Sequence, residues 1–343
     1  MKLLYIVCFL SQFFLSLNAM EPVINGGESY VMCAGVEDYD LLGVHTQTVV
    51  CSDACEETID TIVARAPHLK ELRVTVIDDT ITNCTLSKIA QLTNLETLFF
   101  FPPFLENAAI LKKNYVVTDE GFAALAKLTH LKNFAIFGFC EISNFSGCVI
   151  GQWRELEDLQ ICCCSKLSDA LLVHLMRLGQ LKRLFWYAAI SNGGLQCIGH
   201  LKQLQKLVLA DCSSITSEGF DYLSSLPLLK VLSMCDVHHM NDDDLKRLTR
   251  LQWLEVFDCT AENSCVTDQG IAFLKNCNNL RMLNLVGFRA LTDDCLQHCI
   301  DITSLRELRV IGSSCITRRA LSELYTKRID MDIFIDPTDR FYR

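Results

Sequence analysis

Leu204-Gln205-Lys206-Leu207-Val208-Leu209-Ala210-Asp211-Cys212 holds, in nine residues, the pattern on which the chain is built. The same spacing, Leu-x-x-Leu-x-apolar-x-x-Cys, returns at residues 156–164 and 251–259. Alternate side chains of an extended strand point to the same side, so Leu207 and Leu209 should face a core while the residues beside them face outward. The pattern therefore predicts a short strand with one buried side.

Weaker copies extend this pattern over most of the chain. Their first leucines are Leu69, Leu95, Leu131, Leu156, Leu181, Leu204, Leu229, Leu251, Leu280 and Leu305. Most intervals are 22 to 26 residues, which is the period of a leucine-rich repeat. One repeat cannot bury its own leucines, so the repeats must stack. We therefore predict an α/β leucine-rich-repeat solenoid, a horseshoe with a parallel sheet on its concave face and helices on its convex face.

A second recurring phrase predicts where each helix begins. An apolar residue is followed by Thr, Ser or Asn, as in Ile215-Thr216 and Leu291-Thr292, and these polar side chains are good N-caps because they accept hydrogen bonds from helix amides. Acidic residues follow the caps, where the helix dipole favours negative charge. They are Asp119, Asp169, Glu218, Asp242, Asp268 and Asp293. Each repeat thus consists of a strand, a turn and a capped helix.

Residues 44–328 resemble the cysteine-containing class of leucine-rich repeats. The resemblance rests on the copies that carry Cys164, Cys212 and Cys259, each followed by an apolar residue and Ser or Thr. This class is found in the substrate-receptor subunits of ubiquitin ligases that carry an F-box, and in related repeat proteins without one. The resemblance implies protein recognition on the array. The chain departs from the receptor pattern, because residues 20–43 are too few for an F-box.

The two ends of the chain differ from the repeats. A positively charged start and an apolar run up to Leu17 precede a cleavage point at Asn18-Ala19, which predicts a signal peptide. The run is too short to predict a membrane span. We assign residues 1–19 to this signal peptide, 20–67 to an N-terminal cap with a degenerate first repeat, 68–328 to the repeats and 329–343 to a C-terminal cap. Two alternatives to secretion are an uncleaved anchor and a cytoplasmic protein that starts at Met20.

Composition limits the classes of partner. The chain has 343 residues, half of them apolar, and a formal net charge of −10. A strongly acidic chain is unsuited to nucleic-acid backbones, which require basic patches, and to anionic membrane surfaces. We therefore expect a protein partner, whose identity the sequence does not give, and neither nucleic acid nor a stable membrane span.

The repeat pattern explains many of the 19 cysteines. We expect thiols at apolar repeat positions to be buried and reduced, because a free cysteine behaves as a small apolar residue. These are Cys164, Cys212, Cys259, Cys295 and Cys299. A disulfide, if one forms, is expected in the N-terminal cap between Cys51 and either Cys55 or Cys33, because bridges help small cores most.

Three clusters contain metal-ligating atoms, and none has the spacing of a metal site. These are Cys162-Cys163-Cys164, Cys295 with Cys299, and His238-His239. Neighbouring residues of a strand point to opposite sides, the helical pair faces the core, and the histidines have no further ligand at metal spacing. No phosphate-binding loop, nucleophile elbow or metalloprotease motif occurs. We therefore predict a protein that is not an enzyme and needs no cofactor.

Aromatic residues at outward strand positions are the candidates for partner binding. They are Phe99, Phe101, Phe137, Phe185, Tyr187, Trp253 and Phe257. Aromatic side chains are enriched at interface hot spots. Adjacent strands lie only about 4.8 Å apart, so these rings could instead shield one another. Asp211, Asp236 and Asp258 follow three successive strands, as either an acidic ridge for a basic partner or residues that shape turns.

Two sequons, Asn83-Cys84-Thr85 and Asn144-Phe145-Ser146, predict glycosylation of Asn83 and Asn144 on an exposed rim. Together with the leader, they favour a secreted, non-enzymatic scaffold that binds a protein on its concave face. The alternative is an intracellular adaptor or substrate-recognition component related to ubiquitin-ligase receptors of the SCF type.

Overall fold

The fold is built around a series of parallel strands, roughly one for each repeat. The computed structural model describes residues 30–33, 40–51, 55–75, 81–101, 117–261, 264–313 and 315–335. In these residues 13 strands form one parallel sheet in which each strand pairs with the next along the chain. The strands are β1 Tyr30–Cys33, β2 Thr48–Cys51, β3 Glu71–Thr75, β4 Thr97–Phe101, β5 Asn133–Phe137, β6 Asp158–Cys162, β7 Arg183–Ser191, β8 Lys206–Ser214, β9 Val231–Met234, β10 Val256–Thr260, β11 Met282–Val286, β12 Glu307–Ile311 and β13 Asp332–Ile335. This is the predicted leucine-rich-repeat solenoid.

Short helices return the chain from one strand to the next on the convex face. They are α1 Glu56–Arg65, α2 Asn83–Ile89, α3 Asp119–Ala123, α4 Ser146–Ile150, α5 Leu172–Leu175, α6 Asn192–Ile198, α7 Ser217–Leu223, α8 Asp242–Leu248, α9 Asp268–Phe273, α10 Asp293–Asp301 and α11 Arg318–Lys327. Turns of 3-10 helix at Ala124–Lys127, Asp169–Leu171 and Leu274–Asn276 adjoin three of them. Among the described residues, no helix combines the length and the apolar character that crossing a bilayer requires.

The core is continuous because the strand register places equivalent leucines side by side. Leu159, Leu184, Leu207 and Leu232 are register partners along β6 to β9, and all four are fully buried. The cluster of buried apolar residues extends from Val31 to Met331. Stacking of the repeats thus buries leucines that a single repeat could not bury alone, as the pattern predicts.

The repeat predicted to start at Leu251 starts at Leu254 instead. Phe257 of β10 is the register partner of Leu232 and Leu283, so it occupies a core position. Leu251 belongs to the turn before the strand, where its carbonyl accepts a hydrogen bond from the Leu254 amide at 3.1 Å. The prediction was wrong by three residues because leucines recur every third position here, and two registers fit the same spacing.

The predicted helix caps are largely present. A side-chain oxygen accepts a helix amide at Thr82, Ser168, Ser191, Asn241, Thr267, Thr292 and Thr317. At α8 the cap is reciprocal, because Asn241 accepts the Asp244 amide at 3.2 Å while Asp244 accepts the Asn241 amide at 2.9 Å. Satisfying these end amides allows helices of only one or two turns to persist.

Candidate protein-binding surface

Side chains that point away from the core form rows across the concave face. Because the strands are in register, equivalent residues of successive repeats lie next to one another. The first row runs through Asp158, Arg183 and Lys206, and the second row through Gln160 and Phe185 at the same strands. A third row contains Phe137, Cys162 and Tyr187. These rows are the surface on which the sequence places partner binding.

Five of the predicted aromatic residues do lie in these rows. Phe99 and Phe185 belong to the second row, and Phe101, Phe137 and Tyr187 to the third. Phe99, Phe137 and Phe185 are nevertheless only 1%, 4% and 3% exposed. The rings of Phe99 and Phe101 meet edge to face with centroids 5.4 Å apart. Packing on the floor of the horseshoe therefore buries three of the rings, while Phe101 and Tyr187 stay partly exposed.

The other two aromatic residues are not on the concave face. Phe257 is fully buried in the core, which follows from the register correction above. Trp253 lies in the turn before β10 and is 52% exposed. Its indole therefore belongs to the edge of the sheet where the strands begin, so the predicted continuous aromatic row ends at Tyr187.

A polar group lies beside the central aromatic residues. Arg183 donates from Nε to Asp158 Oδ2 at 2.8 Å, and Gln160 Nε2 donates to the same carboxylate at 3.2 Å. Asp158 is only 3% exposed, and burial raises its pKa although Arg183 acts in the opposite direction. The Lys206 ammonium lies 4.9 Å from the centroid of the Phe185 ring, and burial lowers the pKa of this lysine. We call Asp158, Gln160, Arg183, Phe185, Tyr187 and Lys206 the central strip.

One atom of the central strip has an unmet hydrogen-bonding requirement. Gln160 Oε1 is buried and makes no hydrogen bond, and the side chain is 5% exposed. A buried acceptor without a donor costs about 1–3 kcal/mol. Tyr187 lies one strand away from it, and burial raises the pKa of its phenol well above the usual range, which keeps the phenol neutral. The strip can therefore offer cationic and aromatic contacts to a partner.

A second polar group lies further along the concave face. Asp258 of β10 accepts hydrogen bonds from Ser233 Oγ at 2.9 Å and from Asn284 Nδ2 at 2.7 Å. Burial raises the pKa of Asp258. The Asn284 Oδ1 atom is buried and makes no hydrogen bond.

The three aspartates do not form the predicted ridge at one register. Asp211 accepts a hydrogen bond from Ser213 Oγ at 2.8 Å, and Asp236 has a positive φ of 58°. Asp236 therefore shapes a turn, which was one of the two predicted alternatives, whereas Asp211 lies in the irregular second half of β8. Asp258 lies within a strand, because its repeat was assigned to the wrong register.

Two matching triads near the ends of the concave face were missed by sequence reasoning. In β3 the Arg73 Nε donates to Glu71 Oε1 at 2.5 Å, and the guanidinium lies 5.7 Å from the Phe99 ring of the next strand. Near the other end, Arg309 of β12 donates to Glu307 at 2.7 Å and lies 4.9 Å from the Phe334 ring. Both triads begin with Glu-Leu-Arg-Val, at residues 71–74 and 307–310, and this repeated tetrapeptide was the available signal.

The cysteine clusters have the predicted burial. Cys164, Cys212, Cys259, Cys295 and Cys299 are all buried. Burial raises the pKa of the Cys299 thiol to about 12. Cys212 and Cys259 lie within strands β8 and β10. The described residues contain no group of three or more side chains placed to hold a metal ion.

The N-terminal cysteines leave one predicted pairing untested. The thiol of Cys55 lies 3.1 Å from the Thr58 hydroxyl. Cys33 and Cys51 are register partners in β1 and β2, and a bridge between them stays a prediction. The predicted signal peptide, residues 1–19, lies outside the described residues.

The sequon asparagines are held between repeats. Asn83 begins α2, and its amide bonds to Thr118, which precedes α3. Asn144 makes the same contact with Ser168 in the next repeat. Both side chains are half-buried. Glycosylation of these residues stays a prediction, and these hydrogen bonds involve the amide group that would carry the sugar.

Comparison with known proteins supports the fold and not a family. No protein-family model matches the chain. A segment is 37% identical over 76 residues to the human protein ATP synthase subunit s, mitochondrial. That match covers 21% of this chain and spans 38% of the length of the relative.

Solved structures with a similar fold have low sequence identity to the chain. An internalin of Listeria monocytogenes matches with a TM-score of 0.51 and 16% identity, over 85% of this chain and 80% of the internalin. The Rad7–Elc1 complex of yeast matches with a TM-score of 0.49 and 19% identity, over 89% of this chain and 81% of the matched one. A leucine-rich-repeat protein of Leptospira interrogans has a TM-score of 0.40 and 13% identity, over 87% and 92% of the two chains. The internalin match supports the solenoid fold alone, and the two lower TM-scores carry no inference.

Proposed function

We propose that this protein is a non-enzymatic scaffold that binds another protein on its concave face. The observation that carries the proposal is the central strip, in which partly exposed Arg183 and Tyr187 lie beside the buried polar side chains of Asp158 and Gln160. Arginine and tyrosine are enriched at interface hot spots, and a strip of parallel rows presents them on a rigid support. A partner that covers the central strip would contact Arg183 and Tyr187 and exclude water from the Arg183–Asp158 pair.

We propose that the protein acts in the secretory pathway, because residues 1–19 have the pattern of a signal peptide. The alternative is an intracellular adaptor related to the substrate receptors of ubiquitin ligases. One observation favours the alternative: both sequon asparagines use their amide groups between repeats. Both cases leave Met20 at the N-terminus, so fractionation of cells that express the full-length chain distinguishes the two. Recovery in the secretory lumen or the medium supports secretion, and recovery in the cytosol supports the adaptor.

Replacement of Tyr187 by Ala tests the binding surface. We expect Tyr187→Ala to weaken binding of the partner by about 1–4 kcal/mol, which is roughly fivefold to nearly a thousandfold in affinity. The partner is first identified by cross-linking to the wild-type full chain, and affinities are then measured with purified proteins.

Tyr222→Ala is the matched control for this experiment. Tyr222 is a partly exposed tyrosine on helix α7, on the convex face, where its hydroxyl donates to Glu218 at 3.0 Å. The Tyr222→Ala variant should leave the affinity for the partner unchanged. Equal affinity of wild type and Tyr187→Ala, with equal melting temperatures, would show that the partner binds elsewhere.

A further inference from the structure

A residue at, or just before, the start of eight helical segments joins its repeat to the next one. Asn83 Oδ1 accepts the backbone amide of Thr118 at 2.9 Å, while Asn83 Nδ2 donates to the Thr118 hydroxyl at 2.9 Å. Asn144 makes the same pair of bonds with Ser168, at 3.0 and 2.9 Å. We call the residues at this position the cap ladder. They are Asn83, Asp119, Asn144, Asp169, Asn192, Asp242, Asp268 and Asp293.

Aspartate serves the cap ladder as well as asparagine does. Asp268 accepts the backbone amide of Thr292 at 2.9 Å and its hydroxyl at 2.7 Å. The geometry is that of Asn83 with Thr118, except that the hydroxyl donates to a carboxylate and accepts from an amide. A hydroxyl can do either. The ladder therefore requires a short planar side chain with an acceptor oxygen, and it tolerates either Asn or Asp.

The structure leaves little space around the ladder side chain of the first sequon. Gly121, in helix α3, lies so close to Asn83 that an added Cβ would be 2.1 Å from Asn83 Oδ1. The same contact recurs at Gly270, whose Cβ would lie 2.4 Å from Asp242 Oδ1. A real Cβ cannot approach that closely, so glycine is required where the ladder residue packs against the next helix.

The third residue of each sequon also makes a hydrogen bond within the fold, Thr85 in a helix cap and Ser146 between repeats. Thr85 is fully buried and its hydroxyl accepts the Thr82 amide at 3.2 Å in a capping box. Ser146 is 2% exposed and its hydroxyl donates to Asp119 at 2.7 Å. Asn at the first position and Ser or Thr at the third are therefore both explained by capping and coupling. The sequon arises from these two requirements without a glycan.

Glycan transfer would remove the hydrogen on which the coupling depends. Both bonds of the Asn83 amide go to Thr118, so the hydrogen that Nδ2 donates lies on the Oδ1 side of the amide. A glycosylated amide is secondary and holds its substituents trans, as a peptide bond does. The sugar carbon C1 then takes the place of that hydrogen. The same geometry applies to Asn144 and Ser168.

We propose that Asn83 and Asn144 are coupling residues that carry no glycan in the folded protein, and that glycan transfer to either one and docking of the next repeat exclude each other. This inference goes beyond the proposed binding function and does not depend on it. It replaces glycosylation of the folded protein as the role of the two sequons.

Two double variants test the coupling role. Asn83→Asp/Asn144→Asp and Asn83→Gln/Asn144→Gln both remove the sequons, but only aspartate keeps the length and acceptor of the ladder. With unglycosylated full-length protein, we expect the Asp variant to melt close to wild type and the Gln variant to melt about 1–3 °C lower, as expected for losing hydrogen bonds worth about 1–2 kcal/mol in total. Equal melting of the Asp and Gln variants would overturn the coupling role.

Direct transfer of a sugar tests the exclusion. A soluble N-glycosyltransferase with UDP-glucose forms the Nδ2–C1 bond and releases UDP and one Nδ2 proton. We expect it to modify Asn83 and Asn144 in the denatured, reduced chain and in a synthetic peptide of residues 80–88, and to leave the native chain unmodified. Modified chain returned to native conditions should melt below wild type. Modification of the native chain at either asparagine, with unchanged melting, would overturn the proposal.

Discussion

At the scale of single residues, Asp258 shows how the concave floor changes the chemistry of a side chain. Its carboxyl group is held by the neutral donors Ser233 and Asn284 and is 5% exposed. Burial is the main cause that raises its pKa, because the charged form loses hydration that these two donors replace only in part. The folded protein therefore binds a proton at this site more strongly than the unfolded chain does.

Asp258→Asn should remove a pH-dependent part of the stability. An acid whose pKa is raised on folding contributes stability at pH values below its unfolded pKa, about 3.9, and loses it as pH rises through the folded value. We therefore expect wild type to lose stability relative to Asp258→Asn as the pH rises above about 4, by about 1.4 kcal/mol for each unit by which the pKa is raised. Urea unfolding at several pH values measures this difference.

Asp211→Asn provides the control for this prediction. Asp211 is partly exposed in the second half of β8, and its replacement removes the same charge without relieving burial. Comparison with Asp211→Asn therefore corrects the Asp258→Asn result for the loss of one negative charge. A difference between wild type and Asp258→Asn that is constant from pH 4 to pH 7 would contradict the assigned burial effect.

The sequence could predict residue positions only where the register was unique. Leu207 and Leu209 were placed correctly because one spacing fits their repeat. Phe257 and Trp253 were misplaced because the leucines at 251 and 254 allow two registers. The choice between them depends on where α8 ends, at Leu248.

At the scale of elements, Arg328 joins the ends of two helices. It follows α11, and its Nη1 donates to the carbonyl of Ile302 at 3.1 Å while Nη2 donates to the carbonyl of Leu305 at 2.6 Å. Asp330 accepts from Nε at 2.9 Å. The guanidinium thus satisfies carbonyls that follow α10, and a planar group with several fixed donors is suited to this task.

Arg328→Met should destabilise the C-terminal repeats by about 2–4 kcal/mol, because buried carbonyls lose charge-assisted donors. Arg328→Lys keeps the charge but has no planar fork, so it should cost about half as much. Denaturant unfolding measures both variants, and Arg319→Met on the exposed side of α11 is the control. Equal stability of wild type and Arg328→Met would show that water replaces the guanidinium at no cost.

Sequence reasoning predicted the helix caps but not the cap ladder. A cap is local, since Thr or Ser and the amide that it accepts are two or three residues apart. The ladder joins residues 22 to 35 positions apart, as in Asp169 with Ser191 and Asn83 with Thr118. The acids after the caps were therefore assigned to the helix dipole alone. Their second role, accepting a backbone amide of the next repeat, depends on a contact that only stacking creates.

At the scale of the whole molecule, periodicity predicted the solenoid, but the burial of its concave floor required the structure. The repeated leucines determine which side of each strand faces the core, and it is the same side in successive strands of the sheet. Whether an outward ring is exposed depends on the size of its neighbours in adjacent repeats, which is why Phe185 is buried and Tyr187 is not. The aromatic residues of the candidate site were thus predicted by position and not by exposure.

Stacking also predicts which repeats should lose stability when a core residue of one repeat is replaced. Each repeat contacts only its neighbours, so stability is a sum of repeat and interface contributions. Leu207→Ala, in the central strand β8, and Leu324→Ala, in the last helix α11, remove equally buried side chains. Each should cost about 2–5 kcal/mol locally. We expect Leu324→Ala to release only the last repeat, whereas Leu207→Ala weakens both of the interfaces that β8 makes.

Hydrogen exchange followed by mass spectrometry measures this difference repeat by repeat. In Leu324→Ala, protection should fall in β12 and β13 and stay at the wild-type level in β5 to β8, because the open end of an array can fray without exposing the interior. In Leu207→Ala, protection should fall first in β7, β8 and β9, and the unfolding midpoint of the whole chain should decrease. A uniform loss of protection in both variants would mean that the 13 strands unfold as one cooperative unit, and the nearest-neighbour description of this solenoid would then be wrong.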